Sequence, residues 1–226
     1  LERGKRKYIH NTIAHISKAH AGKYVLNGPG TKYVLLFLTA FLFHNDLIGD
    51  RIQFFTDGHK ILNDSIFNWF SWYGNIGVIL DWYHLEKKCK EQLSLALKGR
   101  FIRNEILDNL KPLLWYGLID EAVGHLEAID KDSIKQVEKL DKLIAYLKRN
   151  KPYIPCYAVR KELGLCNSSA IGEKMNDLVV SSRQKHNGMS WSKAGSVGLA
   201  TITAIKRNKE NEKWFETKSL DFKLAA

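Results

Sequence analysis

Cysteine is scarce and poorly spaced for a structural role. Only Cys89, Cys156 and Cys166 occur in 226 residues, an odd number at no zinc-finger spacing. That pattern speaks against a disulfide framework or a zinc site, and the thiols read as reduced and cytosolic. Long apolar runs are missing too. The longest, residues 33–43, includes Thr39 and falls short of the roughly 20 residues that a bilayer span takes. A secretory signal is not in evidence, because Leu1-Glu-Arg-Gly-Lys-Arg-Lys7 has neither an apolar core nor a cleavage site. Acid is the sparser charge: 24 Asp and Glu stand against 35 Lys and Arg, a net +11.

What is present is ordinary for a folded chain. Hydrophobic residues make up 45% and charged residues 26%, which excludes a disordered or collagen-like protein. The length fits one large domain or two small ones. A pI near 9.5, with six Trp, nine Tyr and ten Phe, points to nucleic acid or an anionic membrane surface as the natural partner. Charge alone leaves that open, since many basic proteins bind nothing acidic. The first residue is Leu rather than Met, so an N-terminal part of a longer protein is expected upstream.

Residues 8–16 and 23–26 read as an antiparallel strand pair with turn signals at Ala21-Gly22 and Asn27-Gly-Pro-Gly30. Residues 31–45 read as a buried helix. A strand over residues 51–56 ends at Asp57-Gly58, a helix follows over 61–73, and a short strand over 78–80 ends at Asp81 before a helix over 84–97. Strand, helix, strand and helix with short loops mark a parallel αβ unit. Residues 100–150 read as helices alone. One carries Ile102, Ile106, Leu107 and Leu110. Pro112 starts a second, and Asp132-Ser133 caps a third bearing Ile134, Val137, Leu140, Ile144 and Leu147. Pro152 and Pro155 close the block. Asn167-Ser168-Ser169 is expected to cap a helix reaching about residue 187, and the basic tail from Lys206 reads as a solvated surface.

Asp57 and Asp81 each follow a strand, at the edge where open αβ sheets bind ligands. The plainer reading of either is a helix N-cap. Glu173 stands near the start of the later helix with Asp177 four residues on, and Arg183, Lys185 and His186 follow. A first-turn acid facing the helix dipole is the plainer reading of Glu173. Acids that bind Mg²⁺ beside cations that bind phosphate are what phosphodiester chemistry needs. His84, three residues after Asp81, is placed to meet it or a DNA phosphate, although a lone histidine is more often structural.

Four segments occur in order: Phe55-Thr-Asp-Gly58, Ile79-Leu-Asp-Trp-Tyr-His-Leu-Glu-Lys87 with Lys88, Asn167-Ser-Ser-Ala-Ile-Gly-Glu-Lys174, and Arg183-Gln-Lys-His-Asn-Gly-Met-Ser-Trp-Ser192. Together they resemble the C-terminal catalytic part of bacterial insertion-sequence transposases of the DDE type, in the Mutator-like group and its prokaryotic relatives. The resemblance runs from about residue 53 to residue 192. It implies that Asp57 is the second catalytic acid and that Glu173, after the helical insertion, is the last. It implies that Asp81 and His84 support the active site or bind strand-end DNA. The first catalytic Asp belongs on an opening strand upstream of Leu1, which leaves this chain an incomplete, inactive fragment. Asp57, Asp81 and Glu173 form a competing triad, with a first interval of only 24 residues (81 − 57).

The expectation is therefore an α/β, ribonuclease H-like mixed sheet with an all-helical insertion and its first strand missing. Residues 1–99 form the first part of the core, 100–160 the insertion, and 161–226 the C-terminal helix with the catalytic Glu and the basic tail. The implied activity is Mg²⁺- or Mn²⁺-dependent cleavage and strand transfer of an insertion sequence. Asp57, Asp81 and Glu173 hold metal in that reading, and Arg183, Lys185, His186 and Trp191 bind DNA, Trp191 by stacking or else as a core anchor. The implied partners are transposon-end and target DNA, in a cytoplasmic, nucleoid-associated homo-oligomer with no membrane. A catalytically inactive DNA-binding fragment and a ribonuclease H-like nuclease without strand transfer are the alternatives.

Overall fold

The computed structural model of the chain describes residues 9–18, 22–185 and 190–224. Its elements begin with β1 (Thr12–Lys18), β2 (Gly22–Gly28), α1 (Thr31–His44), β3 (Ile52–Thr56), α2 (Lys60–Trp69), β4 (Ile76–Leu80) and α3 (Trp82–Ala96). A helical stretch follows: α4 (Arg100–Trp115), α5 (Ile119–Glu127), α6 (Val137–Asn150) and α7 (Tyr157–Glu162). The chain closes with α8 (Ala170–Asn176), α9 (Ser182–Gln184), α10 (Lys193–Arg207) and α11 (Asn211–Thr217), a π-helical turn over Asp177–Ser181 joining α8 to α9. Among the described residues the strands form two sheets of two strands each, so the fold is mixed α/β. No helix of the described residues is long and apolar enough to cross a membrane.

The chain divides into two units. Unit one takes the chain through Asp50, Ser65–Trp72 and the chain from Ala170. Here β1 and β2 pair antiparallel, His15 opposite Val25, as the strand pattern predicts. Tyr24, Val25 and Leu26 are all buried, so β2 is covered on both faces. On α1, Val34, Leu35, Leu38, Phe41 and Leu42 are buried. The C-terminal residues agree with their expectation in part. Lys206, Arg207 and Lys209 are exposed, as the solvated-surface reading expects, but they belong to a helical stretch tied to β2, which that reading did not include. Asn208 accepts from the Val25 backbone N–H at 2.9 Å and donates to its carbonyl at 3.0 Å. The Tyr24 hydroxyl donates to the buried Glu210 at 2.7 Å. The charges at Lys206, Arg207 and Lys209 hide the apolar signal of Ala200, Ala204 and Ile205, which bury one face of α10.

Unit two takes Arg51–Asp64 and Tyr73–Ser169. β3 and β4 pair in parallel, Ile52 opposite Ile76 and Thr56 opposite Leu80. The ladder runs one residue further, the Asp81 backbone N–H donating to the Thr56 carbonyl at 2.9 Å. Along α3, Leu85, Cys89, Leu93 and Ala96 recur at helical spacing and are fully buried. They join Ile79 and Leu80 of β4 to Leu107, Leu110, Leu126, Leu143 and Leu147 in one core. The helical stretch thus shares its interior with β4 and α3. Burial pushes the Cys89 thiol up to about 12, so it stays protonated and inert.

Two boundaries in the helical stretch fall elsewhere than expected. Pro112 does not start a helix; it lies inside α4. Burying Leu110 and Leu114 yields about 1.5–3 kcal/mol each, which offsets a proline penalty of about 3 kcal/mol. The real stop is Gly117 at φ 76°, where Leu118 N–H bonds Leu113 O at 2.8 Å and Gly117 N–H bonds Leu114 O at 3.1 Å. Nor does Asp132-Ser133 cap α6. Those residues form a 3₁₀ turn over Lys131–Ser133, capped by Asp130, and Ile134 bridges to Leu97 instead of joining the helix. Val137 is exposed, and the buried face of α6 is Leu140, Leu143, Tyr146 and Leu147.

Candidate functional site

Asp57 leaves the end of β3 exposed, on a backbone fixed from two sides. Its Oδ1 accepts the His59 backbone N–H at 2.9 Å, a tight side-chain turn. Its carbonyl accepts the Tyr146 hydroxyl at 3.2 Å. Burial comes first, and the nearby Asp57 carboxylate adds to it, in holding that hydroxyl well above the ordinary tyrosine range, so it stays a neutral donor. Gly58 makes the turn possible, because it sits at φ 78° and a Cβ there would lie 2.9 Å from Leu80 Cδ1 and 3.1 Å from the Tyr146 oxygen. Gly58→Ala should therefore cost about 2–4 kcal/mol, from left-handed strain and overpacking together. Urea unfolding checks this, and a loss under about 0.5 kcal/mol, the range of a neutral surface change, would show the turn relaxes freely.

Asp81, at the equivalent end of β4, is 1% exposed. It is the N-cap of α3: Oδ1 accepts the His84 backbone N–H at 3.0 Å. Its Oδ2 accepts the Ser169 backbone N–H. The Trp82 N–H donates to Asn167 O at 3.0 Å, so the start of α3 anchors the 167–169 segment. Asn167 itself does not cap α8; its side chain donates to Tyr157 O and accepts from Arg160. The Asp81–His84 contact thus runs through the His84 backbone, while His84 also lines the cavity beside Asp57.

That cavity, about 560 Å³, lies wholly in unit two. Asp57, His59 and Lys60 line it from the β3–α2 segment, His84, Lys87, Lys88 and Glu91 from α3, and Tyr146 and Arg149 from α6. Four fixed cations face two carboxylates. No ion pair among the described residues involves Lys60, Lys87, Lys88 or Arg149. Neutralised lysines lie elsewhere: Lys111 with Glu86 at 2.6 Å, Lys148 with Glu127 at 2.8 Å and Lys151 with Asp120 at 2.6 Å. Of these residues Asp57 and His84 are legible in the sequence as site candidates, whereas Lys60, Lys87, Lys88, Tyr146 and Arg149 are not. A signal was present in His84, Lys87, Lys88 and Glu91, which recur at helical spacing on one face of α3.

The remaining expected residues belong to unit one. Glu173 is exposed on α8, with Asp177 in the π-helical turn that follows. Arg183 on α9 and Lys185 are exposed. Trp191 is half-buried. His186 lies outside the described residues, as does residue 187, where the helix was expected to end.

Among the described residues no three His, Cys, Asp or Glu side chains gather as a metal cage. Mg²⁺ commonly uses one or two carboxylates together with substrate phosphates. Asp57, exposed among four cations, suits that donor set. Asp81 does not suit it, being buried with both oxygens engaged by backbone N–H groups. No protein-family model matches the chain, and no curated protein or solved structure matches it either.

Proposed function

We propose that the chain is the catalytic part of a ribonuclease H-like DNA transposase, cutting and joining phosphodiester bonds at Asp57. The observation that carries this reading is the cavity beside the carboxyl end of β3, where the strand-end carboxylate of Asp57, with Glu91 across from it, faces four cations that have no ion-pair partner among the described residues. In this reading Asp57 holds the metal, and Lys60, Lys87, Lys88 and Arg149 hold phosphate oxygens, arginine in two-pronged fashion. Mg²⁺ or Mn²⁺ supplies Lewis acidity toward the phosphoryl oxygens when bound. The net charge of +11 favours encounter with DNA at low salt. The four ordered motifs that resemble the transposases support the choice of DNA over other polyanions.

A DNA-binding domain without cleavage is the second reading, favoured by the backbone contacts that occupy Asp81. Nicking of supercoiled plasmid by the full encoded protein separates the two. Nicks that require Mg²⁺ or Mn²⁺ and vanish in Asp57→Asn support the transposase reading. DNA that is bound yet never nicked, with either metal, supports the binding domain.

A further inference from the structure

Three lysines outside the cavity, Lys111 of α4, Lys148 of α6 and Lys151 just after it, are ion-paired at their ends. Two cations of the cavity have a partner of another kind. Lys88 Nζ lies 5.9 Å from the Tyr146 ring centroid and Arg149 Cζ lies 5.6 Å from it. An aromatic face attracts a cation without cancelling its charge, so both remain available to an anion. Tyr146 is itself fixed, 7% exposed, with its hydroxyl bonded to the Asp57 carbonyl. One buried ring therefore ties two cations from different helices to the backbone of the exposed carboxylate.

We infer that Lys88 of α3 and Arg149 of α6, held by the Tyr146 ring, form a clamp for the backbone phosphates of the DNA strand beside Asp57. Lys60 and Lys87 extend it along the cavity wall. The helical stretch then contributes directly to DNA binding, apart from Arg183 and Lys185, and Tyr146 is a positioning residue. A single carboxylate fits less well, because one charge cannot engage cations spread over three elements of the cavity. A phosphodiester strand brings one negative charge per nucleotide and can engage cations on three elements at once. This inference rests on DNA being the substrate, but not on cleavage.

The test is the salt dependence of affinity for a short labelled DNA duplex, measured with the full chain in EDTA. Each lost phosphate contact lowers the logarithmic salt slope by about 0.9. Lys88→Ala and Arg149→Ala should each lower it by about that amount. Lys148→Ala, which removes the same charge from an ion-paired position, should leave it unchanged. Tyr146→Phe keeps the ring and should keep the slope, whereas Tyr146→Leu, assayed where circular dichroism shows it folded, should lower it. DNA binding with an unchanged slope in Lys88→Ala and Arg149→Ala overturns the clamp and leaves the transposase reading standing. Displacement of the duplex by inorganic phosphate, at an ionic strength where chloride does not displace it, overturns the strand assignment in favour of a free-phosphate site. Loss of metal-dependent nicking with the slopes as expected overturns only the catalytic reading.

Discussion

Asp81→Ala is expected to lower stability by about 3 kcal/mol, and to do so with no metal present. The loss of an N-cap alone costs about 0.5–2 kcal/mol. Here the same carboxylate also accepts the Ser169 N–H, and its neighbourhood is closed to water at 1% exposure. Leaving a buried donor unpaired adds about 1–3 kcal/mol. Asp81→Asn keeps one carbonyl oxygen but turns an amide toward the second backbone donor, so it should fall between wild type and alanine. Urea unfolding monitored by Trp fluorescence reads the result, Trp82 standing next to the cap and against Trp115 and Tyr157. A catalytic metal ligand would behave in the opposite way, its removal relieving charge crowding and leaving stability intact. Alanine and asparagine variants that unfold like wild type would return Asp81 to the list of catalytic acids.

Much of unit two was legible because parallel strands and their crossover helix leave local marks. Residues 51–56 are a compact β-type run, 78–80 a short apolar one, and Asp57-Gly58 is a turn that only a small residue tolerates. The same locality made Asp81 readable as a strand-end acid, yet it could not separate a metal ligand from an N-cap. That distinction depends on the Ser169 N–H, 88 positions away in the chain. Pro112 misled because helix-breaking is a local preference, and the burial of Leu110 and Leu114 overrode it. The C-terminal helices went unread for the reverse reason. Their surface charges are conspicuous, while the residues that dock them, Asn208 and Glu210, are polar and meet partners on β2. The cavity was least legible of all. Its cations come from three segments, and the Tyr146 ring that organises two of them is one apolar position of α6 among several.

Asp57→Asn is expected to separate binding from chemistry. Nicking by the full encoded protein should fall by roughly 10²–10³, the size of losing one preorganised charged group at a reacting centre. Folding should be unaffected, because the asparagine oxygen still accepts the His59 N–H, and the Tyr146 hydroxyl bonds the Asp57 carbonyl, not its side chain. DNA affinity in EDTA should rise a few-fold. Asp57 is a negative charge within a wall of Lys60, Lys87, Lys88 and Arg149, and with no metal bound it opposes the phosphates those cations attract. Adding Mg²⁺ should reverse that order, because a metal held by wild type turns a repulsive carboxylate into an attractive centre, which asparagine does poorly. Paired titrations of both proteins with and without Mg²⁺ therefore give a crossing pattern. A carboxylate that serves only the turn would instead give parallel curves: the same modest gain in affinity with and without metal, and no change in nicking.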